Sequence, residues 1–262
     1  MIENVAGAGG AIGVAKAVHA APDGYTLVLG ADSPMAIARL VNPAAVKYDT
    51  LKDLAPVGLV NTAPMVLVAR PALPANSLAE VLKLAREQPG KLSYATSGIG
   101  TVLHLAMEMI KDQGKVFITH VPYRGGAQSV TDVVGNQVDL AMLVSVMATP
   151  HILAKKMKGI AVTDDQRLPG LPDVPVVAET PGFKGFDVVA WTGLFAPART
   201  PPAIVERLNR ELNEVLKSSE VRAKMREQGA LGGKGSAAEF ATFVQREQAR
   251  YARIVQAANI KE

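Results

Sequence analysis

The sequence contains no cysteine, a single tryptophan and only 5% aromatic residues. The lack of cysteine excludes a disulfide framework, a thiolate nucleophile and a cysteine-bound zinc, and it fits the cytosol and the periplasm equally well. No uninterrupted apolar run reaches the roughly 18 residues that a membrane-spanning helix requires. The first residues also lack the basic and apolar regions of a signal peptide. These absences favour a globular chain and leave its compartment open.

The composition of the 262 residues is that of a folded protein, with 48% hydrophobic and 20% charged residues. This length allows one large domain or two lobes of ordinary size. Lysine and arginine number 28 against 24 aspartates and glutamates, a formal net charge of +4. Because the basic residues are scattered, we predict no nucleic-acid partner, whereas small anions fit the charge.

Short apolar runs alternate with helical patterns along the first three quarters of the chain. This alternation is typical of α/β units whose parallel strands are buried on both faces. We predict strands at residues 25–29, 65–69, 92–95, 116–121, 140–144, 159–162 and 188–195.

Helix signals lie between and after these strands. Ser77 and Glu80 form a capping-box pair before an amphipathic run that Pro89-Gly90 ends. Further helices are predicted to start near Thr101 and near Gly126, and amphipathic surface helices at residues 204–216, 221–228 and 237–257. The proline-rich residues 168–181 are predicted to form an ordered surface loop.

Three glycine-rich segments follow predicted strands: Gly7-Ala8-Gly9-Gly10, Ser97-Gly98-Ile99-Gly100-Thr101 and Tyr123-Arg124-Gly125-Gly126. A strand that ends in glycines and opens a helix presents backbone N–H groups at the positive end of the helix dipole, where a carboxylate or phosphate binds. Each segment alone is equally explained as a tight turn that needs a positive φ. Three of them in one chain favour a ligand.

Dinucleotide binding, hydrolysis and metal binding have weaker support in the sequence. Residues Gly7 to Gly13 lack the third glycine of the dinucleotide fingerprint, although Asp32 falls about where a ribose-binding acid would lie. Ser97 is not in a nucleophile elbow, because no glycine stands two residues before it. The histidines match no metal-site spacing, and only His104, on the first turns of a predicted helix, points toward a site. We therefore predict no catalytic residues, no metal site and no cofactor.

Seven segments, in order through nearly the whole chain, resemble the periplasmic solute-binding proteins of tripartite tricarboxylate transporters, the Bug family. They are Glu3-Asn4-x-x-Gly7-Ala8-Gly9-Gly10, Ala21-Pro22-Asp23-Gly24-Tyr25-Thr26-Leu27, Tyr48-Asp49 with Lys52-Asp53-Leu54 and Pro56-Val57, Gly90-Lys91-Leu92-Ser93-Tyr94-Ala95, His120-Val121-Pro122-Tyr123-Arg124-Gly125-Gly126, Leu171-Pro172-Asp173-Val174-Pro175, and Trp191-x-Gly193-Leu194-Phe195-Ala196-Pro197. Each segment is weak alone, and seven in register are specific.

The resemblance implies an α/β fold of the two-lobed periplasmic-binding-protein type, the type II or Venus-flytrap fold. Residues 1–66 and 189–262 would form lobe one, residues 67–188 lobe two, and the ligand cleft would lie between the lobes. Family members also carry a signal peptide and a first strand that ends in a Pro-Gly-Gly loop. This chain begins after that motif, so we expect a longer precursor and a lobe one that lacks this strand here.

The resemblance also implies where a ligand carboxylate binds. The matching positions are Ser97, Gly98, Gly100, Thr101 and His104 in one loop, and Tyr123, Arg124, Gly125 and Gly126 in another. Lobe one would add Asp32, Ser33 and Trp191. Asp32 departs from the family pattern, which commonly has small hydroxyl or glycine residues at Asp32-Ser33-Pro34. An acid there would repel a second carboxylate or pair with a ligand amine. Equally, Asp32 caps a helix at residues 34–40.

The leading hypothesis is a monomeric periplasmic binding protein, not an enzyme, that captures a small carboxylate and delivers it to the membrane permease of a tripartite tricarboxylate transporter. Two alternatives stay open. One is a nucleotide-dependent α/β enzyme that uses the turn from Gly7 to Gly13. The other is a carboxylate sensor with the same fold and no role in transport.

Overall fold

A computed structural model of the chain describes residues 1–5, 10–227 and 229–261. The chain divides into two compact units. Unit 1 comprises Met1–Thr62, Trp191–Arg226 and Leu231–Glu262, and unit 2 comprises Ala63–Ala190 and Glu227–Ala230. The division falls inside two long strands, near residues 62 and 190, and a short segment near residue 228 returns to unit 2.

The secondary structure alternates strands and helices until residue 197 and is mainly helical afterwards. The strands are β1 Val28–Ala31, β2 Leu54–Ala69, β3 Ser93–Thr96, β4 Thr119–Pro122, β5 Leu140–Val144, β6 Lys158–Val162, β7 Val189–Pro197 and β8 Leu231–Gly232. The α-helices are α1 Ala11–Val18, α2 Ala38–Val41, α3 Thr50–Asp53, α4 Leu78–Glu87, α5 Val102–Gly114, α6 Gly126–Val134, α7 Ser145–Leu153, α8 Pro202–Lys217, α9 Ser219–Glu227 and α10 Ala237–Ala257. A π-helical turn at Ser33–Ile37 and a 3₁₀ turn at Val177–Glu179 complete the list.

The sheet of unit 2 has the order β4-β3-β5-β2-β6, with the second half of β2 in its interior. Strand β3 pairs in parallel with both β4 and β5. Strands β5 and β6 run antiparallel to β2. Every residue from Met65 to Ala69 is fully buried, as expected for a strand with both faces covered. The parallel strands β3, β4 and β5 therefore end at the same edge of the sheet, and the helices that follow them begin on that side.

The parallel strands expected for α/β units are present in β3, β4 and β5, but other pairs in the chain are antiparallel. Besides the antiparallel pairs of β2, strand β1 pairs antiparallel with β7 in unit 1. A strand buried on both faces reads as a continuous apolar run whichever way its neighbours point, so the sequence pattern carried no information on direction.

Unit 1 is built around the β1·β7 pair, in which Gly30 lies opposite Gly193. Neither glycine leaves room for a Cβ, which would lie 1.9 Å from Met35 Cε at Gly30 and 2.0 Å from Phe240 Cζ at Gly193. The two glycines thus let Met35 and Phe240 pack directly on the strands. Phe240 belongs to an aromatic cluster with Trp191, Phe195 and Phe243, whose rings lie 5.2 to 6.2 Å from one another in the closest pairs.

Most of the predicted helices are confirmed. Ser77 Oγ accepts a hydrogen bond from the Glu80 N–H at the start of α4, and Thr101 caps α5 in the same way. Helices α8, α9 and α10 lie where the amphipathic patterns predicted them, although Gln228, the last residue of the second pattern, is outside the described residues. Among the described residues, no helix is long and apolar enough to cross a membrane.

The strands predicted from the sequence do not include residues 54–64 of β2 or any residue of β8. Pro56 and Pro64 lie inside β2, and proline is otherwise evidence against a strand because it donates no ladder hydrogen bond. Strand β8 has two residues and pairs with Asn61 and Thr62 of β2. The proline-rich residues 168–181 form the predicted loop, but several of their apolar side chains are buried and Val176 bridges to Val162.

Candidate functional site

Two of the three glycine-rich segments meet at the carboxyl ends of β3 and β4 in unit 2. The two strands are parallel neighbours, with Thr96 opposite Pro122, so the loops that follow them start side by side. The Tyr123 N–H donates to Thr96 O at 3.0 Å. A Cβ on Gly98 would lie 3.6 Å from Tyr123 O, so the backbones of the loops are in contact. This is the edge of an α/β sheet at which ligands commonly bind.

The first loop, Thr96 to Thr101, is held by its own hydrogen bonds. Gly98 and Gly100 have φ values of 140° and 68°, a region that side-chain-bearing residues rarely adopt. The Gly98 N–H donates to Thr96 Oγ1 at 3.3 Å, and Thr101 Oγ1 donates to Gly98 O at 2.9 Å. The Gly100 N–H donates to Nδ1 of His104 at 3.2 Å. The N–H groups of both glycines are therefore already bonded, Gly98 within the loop and Gly100 to a side chain of α5.

The second loop, Tyr123 to Gly126, leads into α6. Gly125 is the N-cap of α6 and makes no side-chain cap hydrogen bond, so the first N–H groups of this helix lack the usual side-chain acceptor. The Tyr123 hydroxyl donates to Asp132 Oδ2 at 2.5 Å. Partial burial and this hydrogen bond raise the pKa of Tyr123 to about 12, which keeps the phenol neutral. A Cβ on Gly126 would lie 2.7 Å from Met147 Sδ, so glycine allows close packing there.

Two side chains at these loops keep hydrogen-bonding capacity for a ligand. Arg124 is exposed and makes no ion pair with any acid in the part of the chain that the structure describes. Within the same residues, the half-buried Ser97 hydroxyl has no hydrogen-bond partner. A free guanidinium, a free hydroxyl and the uncapped start of α6 together favour an anion, and a planar carboxylate matches the geometry of a guanidinium.

A buried polar cluster behind the first loop was missed by the sequence analysis, apart from His104. The imidazoles of His104 and His120 stack with their centroids 4.0 Å apart, and His120 also stacks on Tyr94 at 4.7 Å. Glu108 Oε1 accepts from the Tyr94 hydroxyl at 2.6 Å and from Lys111 Nζ at 2.5 Å. The signal was present, because His104, Glu108 and Lys111 are four and three residues apart on a predicted helix.

The predicted unit 1 residues lie in the interior of that unit. Asp32 is 3% exposed and Trp191 1% exposed, and Ser33 is half-buried beside them. Asp32 Oδ2 accepts from the Trp191 backbone N–H at 2.9 Å, and Asp32 Oδ1 accepts from Ser33 Oγ at 2.8 Å. The carboxylate is thus used within unit 1, and a role of these three residues in ligand binding stays a prediction.

The alternative that Asp32 caps the next helix is wrong. An N-cap residue is normally extended, whereas Asp32 has helical φ and ψ values of −48° and −48° and makes no side-chain cap hydrogen bond. Its carboxylate is instead directed to β7. Burial, which outweighs the hydrogen bonds from Trp191 and Ser33, raises the pKa of Asp32 from 3.8 to about 6, and the nearby charge of Glu247 adds to the rise.

Gly7 and Gly9, which belong to the glycine turn of the dinucleotide alternative, lie outside the described residues. The second element of that alternative is visible. Asp32, the residue at the position of a ribose-binding acid, is buried and bonded to Trp191 and Ser33. Of the remaining histidines, His19 is exposed and His151 lies near the end of α7.

Comparison with known proteins decides the family. The family described as the tripartite tricarboxylate transporter family receptor matches residues 1–260. The chain belongs to this receptor family. Among curated relatives of the receptor, a protein encoded in the tcbD-tcbE intergenic region of Pseudomonas sp. strain P51 is 36% identical over 97% of this chain and 75% of its own length. BugT of Bordetella pertussis is 32% identical over 100% of this chain and 80% of its own.

Solved structures agree with this membership. Rpa4515 of R. palustris with adipate has a TM-score of 0.90 and 32% identity, covering 100% of the receptor chain and 87% of its own. MatC of Rhodopseudomonas palustris with bound malate has a TM-score of 0.84 and 34% identity. The match covers 97% of the receptor chain and 87% of MatC. The periplasmic binding protein BugD has a TM-score of 0.82 and 32% identity. The match covers 99% of the receptor chain and 86% of BugD. These likenesses confirm the predicted Bug family and periplasmic-binding-protein fold, and the receptor is a solute-binding component of a transport system.

Proposed function

We propose that this receptor captures a small carboxylate at the two glycine loops of unit 2 and delivers it to the membrane permease of its transporter. In this proposal it acts in the periplasm as a monomer, binds without a cofactor and catalyses no reaction. The predicted lobes, residues 1–66 with 189–262 and residues 67–188, are part of the proposal. The division of the chain near residues 62 and 190 supports them.

The observation that carries the proposal is the free guanidinium of Arg124 beside the uncapped start of α6, in a loop that contacts the loop of the free Ser97 hydroxyl. A bidentate bond between a guanidinium and a carboxylate is one of the stronger polar contacts in proteins, because both groups are charged and planar. The helix start adds N–H donors and a positive dipole end. None of these groups suits a cation.

The ligands of related structures support a dicarboxylate as the ligand class. The R. palustris relative was solved with adipate and MatC with malate, and both are dicarboxylates. In this proposal one of the two carboxylates binds at Arg124 and Ser97.

Isothermal titration calorimetry tests the proposal directly. We expect saturable binding heat for adipate or malate and none for adipamide, which has the length of adipate without its charge. Absence of heat with a panel of mono- and dicarboxylates, or equal heat with adipamide, would contradict a carboxylate site.

Replacing Arg124 by alanine should weaken carboxylate binding by about 10- to 100-fold, because a hydrogen bond to a charged group contributes about 1.5 to 3 kcal/mol. The matched control is Lys91→Ala, which also removes one exposed positive charge but lies just before the opposite end of β3. Titration of both variants with the same dicarboxylate separates a direct contact from long-range attraction. Equal losses in the two variants would show that Arg124 acts only through net charge.

A further inference from the structure

The conformation of the first glycine loop depends on a hydrogen bond from outside the turn. Glycine has the largest conformational freedom of any residue, so a loop with glycines at φ 140° and 68° is costly to order. Gly98 is held by neighbours in the loop, Thr96 and Thr101. Within the described residues, the buried Gly100 N–H has one bond, to Nδ1 of His104. Without that acceptor a buried backbone donor would be left unpaired.

The direction of this bond indicates which tautomer of His104 is present. A backbone N–H can only donate, so Nδ1 must carry a lone pair, and the proton of the neutral ring sits on Nε2. Nε2 lies 3.5 Å from Glu108 Oε1, an acceptor that favours this tautomer. Burial alone would raise the pKa of Glu108, but hydrogen bonds from His104, Lys111 and Tyr94 outweigh it and lower the pKa to about 2. Glu108 therefore remains a carboxylate facing His104.

The plane of the His104 ring is held by stacking. His120, on β4, lies parallel to it at 4.0 Å, and Tyr94, on β3, lies on the far side of His120 at 4.7 Å. His120 Nε2 is 2.7 Å from Thr96 Oγ1. Burial is the main cause that lowers the pKa of His120 to about 4, so this ring is uncharged near neutrality. The two imidazoles thus hold the loop at two places, Thr96 and Gly100.

We propose that His104 is a positioning residue of the carboxylate site: it contacts no ligand, and its Nδ1 lone pair holds the Gly100 N–H so that the loop from Ser97 to Thr101 is in its binding conformation before the ligand arrives. Glu108, fixed by Lys111 and Tyr94, selects the tautomer of His104 that can accept this bond. The inference rests on the proposed carboxylate function of the same loops. Preorganisation of this kind increases affinity because less conformational freedom is lost on binding.

Two substitutions of His104 separate positioning from packing. In His104→Asn, Oδ1 is the same number of bonds from Cα as Nδ1 and retains an acceptor, whereas His104→Leu fills the space without one. We expect His104→Leu to weaken adipate binding by about 5- to 10-fold, the value of one ordinary hydrogen bond, and His104→Asn to stay within about 3-fold of the unchanged protein. A packing role predicts the reverse order, because leucine suits a buried site better than asparagine.

NMR of the ligand-free protein provides a readout that does not depend on carboxylate binding. We expect ¹⁵N shifts of His104 typical of a protonated Nε2 and a bare Nδ1, and protection of the Gly100 amide from hydrogen exchange that His104→Leu removes and His104→Asn keeps. A proton on Nδ1 in the unchanged protein, or equal affinities of the two variants, would overturn the inference. If the unchanged protein binds no carboxylate but shows these signals, the proposed function fails while the loop-holding role of His104 stands.

Discussion

Replacing Asp32 by asparagine is expected to stabilise unit 1 at neutral pH and to have little effect near pH 3. Moving the pKa of one carboxyl group from 3.8 to about 6 on folding corresponds to about 3 kcal/mol of unfolding free energy. Well below pH 3.8 the carboxyl is protonated in both the folded and unfolded states and carries no penalty. As the pH rises through 6, the folded unit must bury a charge, so the contribution of Asp32 to stability is lost.

The single tryptophan makes this measurable. Trp191 is 1% exposed and its backbone N–H is bonded to Asp32, so its fluorescence reports the unfolding of unit 1. Urea unfolding from pH 3 to 7 should show the stability difference between Asp32→Asn and the unchanged protein growing by about 3 kcal/mol. Asp173→Asn, at an exposed position, is the control for loss of one carboxylate. A difference that stays constant with pH would show that Asp32 is already paired well enough to be charged when buried.

Gly193→Ala is expected to destabilise unit 1 by about 3 kcal/mol, at the upper end of the usual cost of overpacking. The added Cβ would lie 2.0 Å from Phe240 Cζ, less than any real contact. Phe240 cannot move freely, because it is 3% exposed and packed among Trp191, Phe195 and Phe243. Urea unfolding followed by Trp191 fluorescence gives the free energy.

A double-mutant cycle identifies the cause of that loss. If the clash with the Phe240 ring is responsible, Gly193→Ala should cost less than about 1 kcal/mol when Phe240 is already leucine, so the two changes would be strongly non-additive. Additive costs would indicate that the strand backbone at Gly193, rather than the ring, resists a side chain. Gly170→Ala, where the nearest atom would be 3.7 Å away, controls for the general effect of replacing a glycine.

The sequence predicted the helices whose signals come from residues close together in the chain. Capping at Ser77 and Thr101 and the amphipathic period of α10 depend on residues a few positions apart, and these elements lie where they were expected. Strand direction and the length of β2 were not predictable in this way. They depend on pairing partners far along the chain, and Pro56 and Pro64 made half of β2 resemble a loop.

For the candidate site, the sequence indicated the loops but not their support. Glycines that follow a strand indicate the start of a helix, and this signal depends only on neighbouring residues. The loops Ser97 to Thr101 and Tyr123 to Gly126 could therefore be predicted as candidate binding loops. The stack of Tyr94, His120 and His104 could not, because it exists only when β3 and β4 pair with Tyr94 beside His120. The burial of Asp32 likewise requires β7, which lies some 160 residues later in the chain.

The pairing of β1 with β7 has a consequence for the order of folding during synthesis. Val28 of β1 pairs with Phe195 of β7, so this strand pair cannot form until Phe195 has been synthesised. Residues Ala63–Ala190, by contrast, form a contiguous stretch that supplies every strand of the unit 2 sheet. Contacts between distant residues form slowly, and domains generally fold as units as they emerge. We therefore expect unit 2 to fold first, and its bond from Ser145 Oγ to Gly229 O to form only after β7 has emerged.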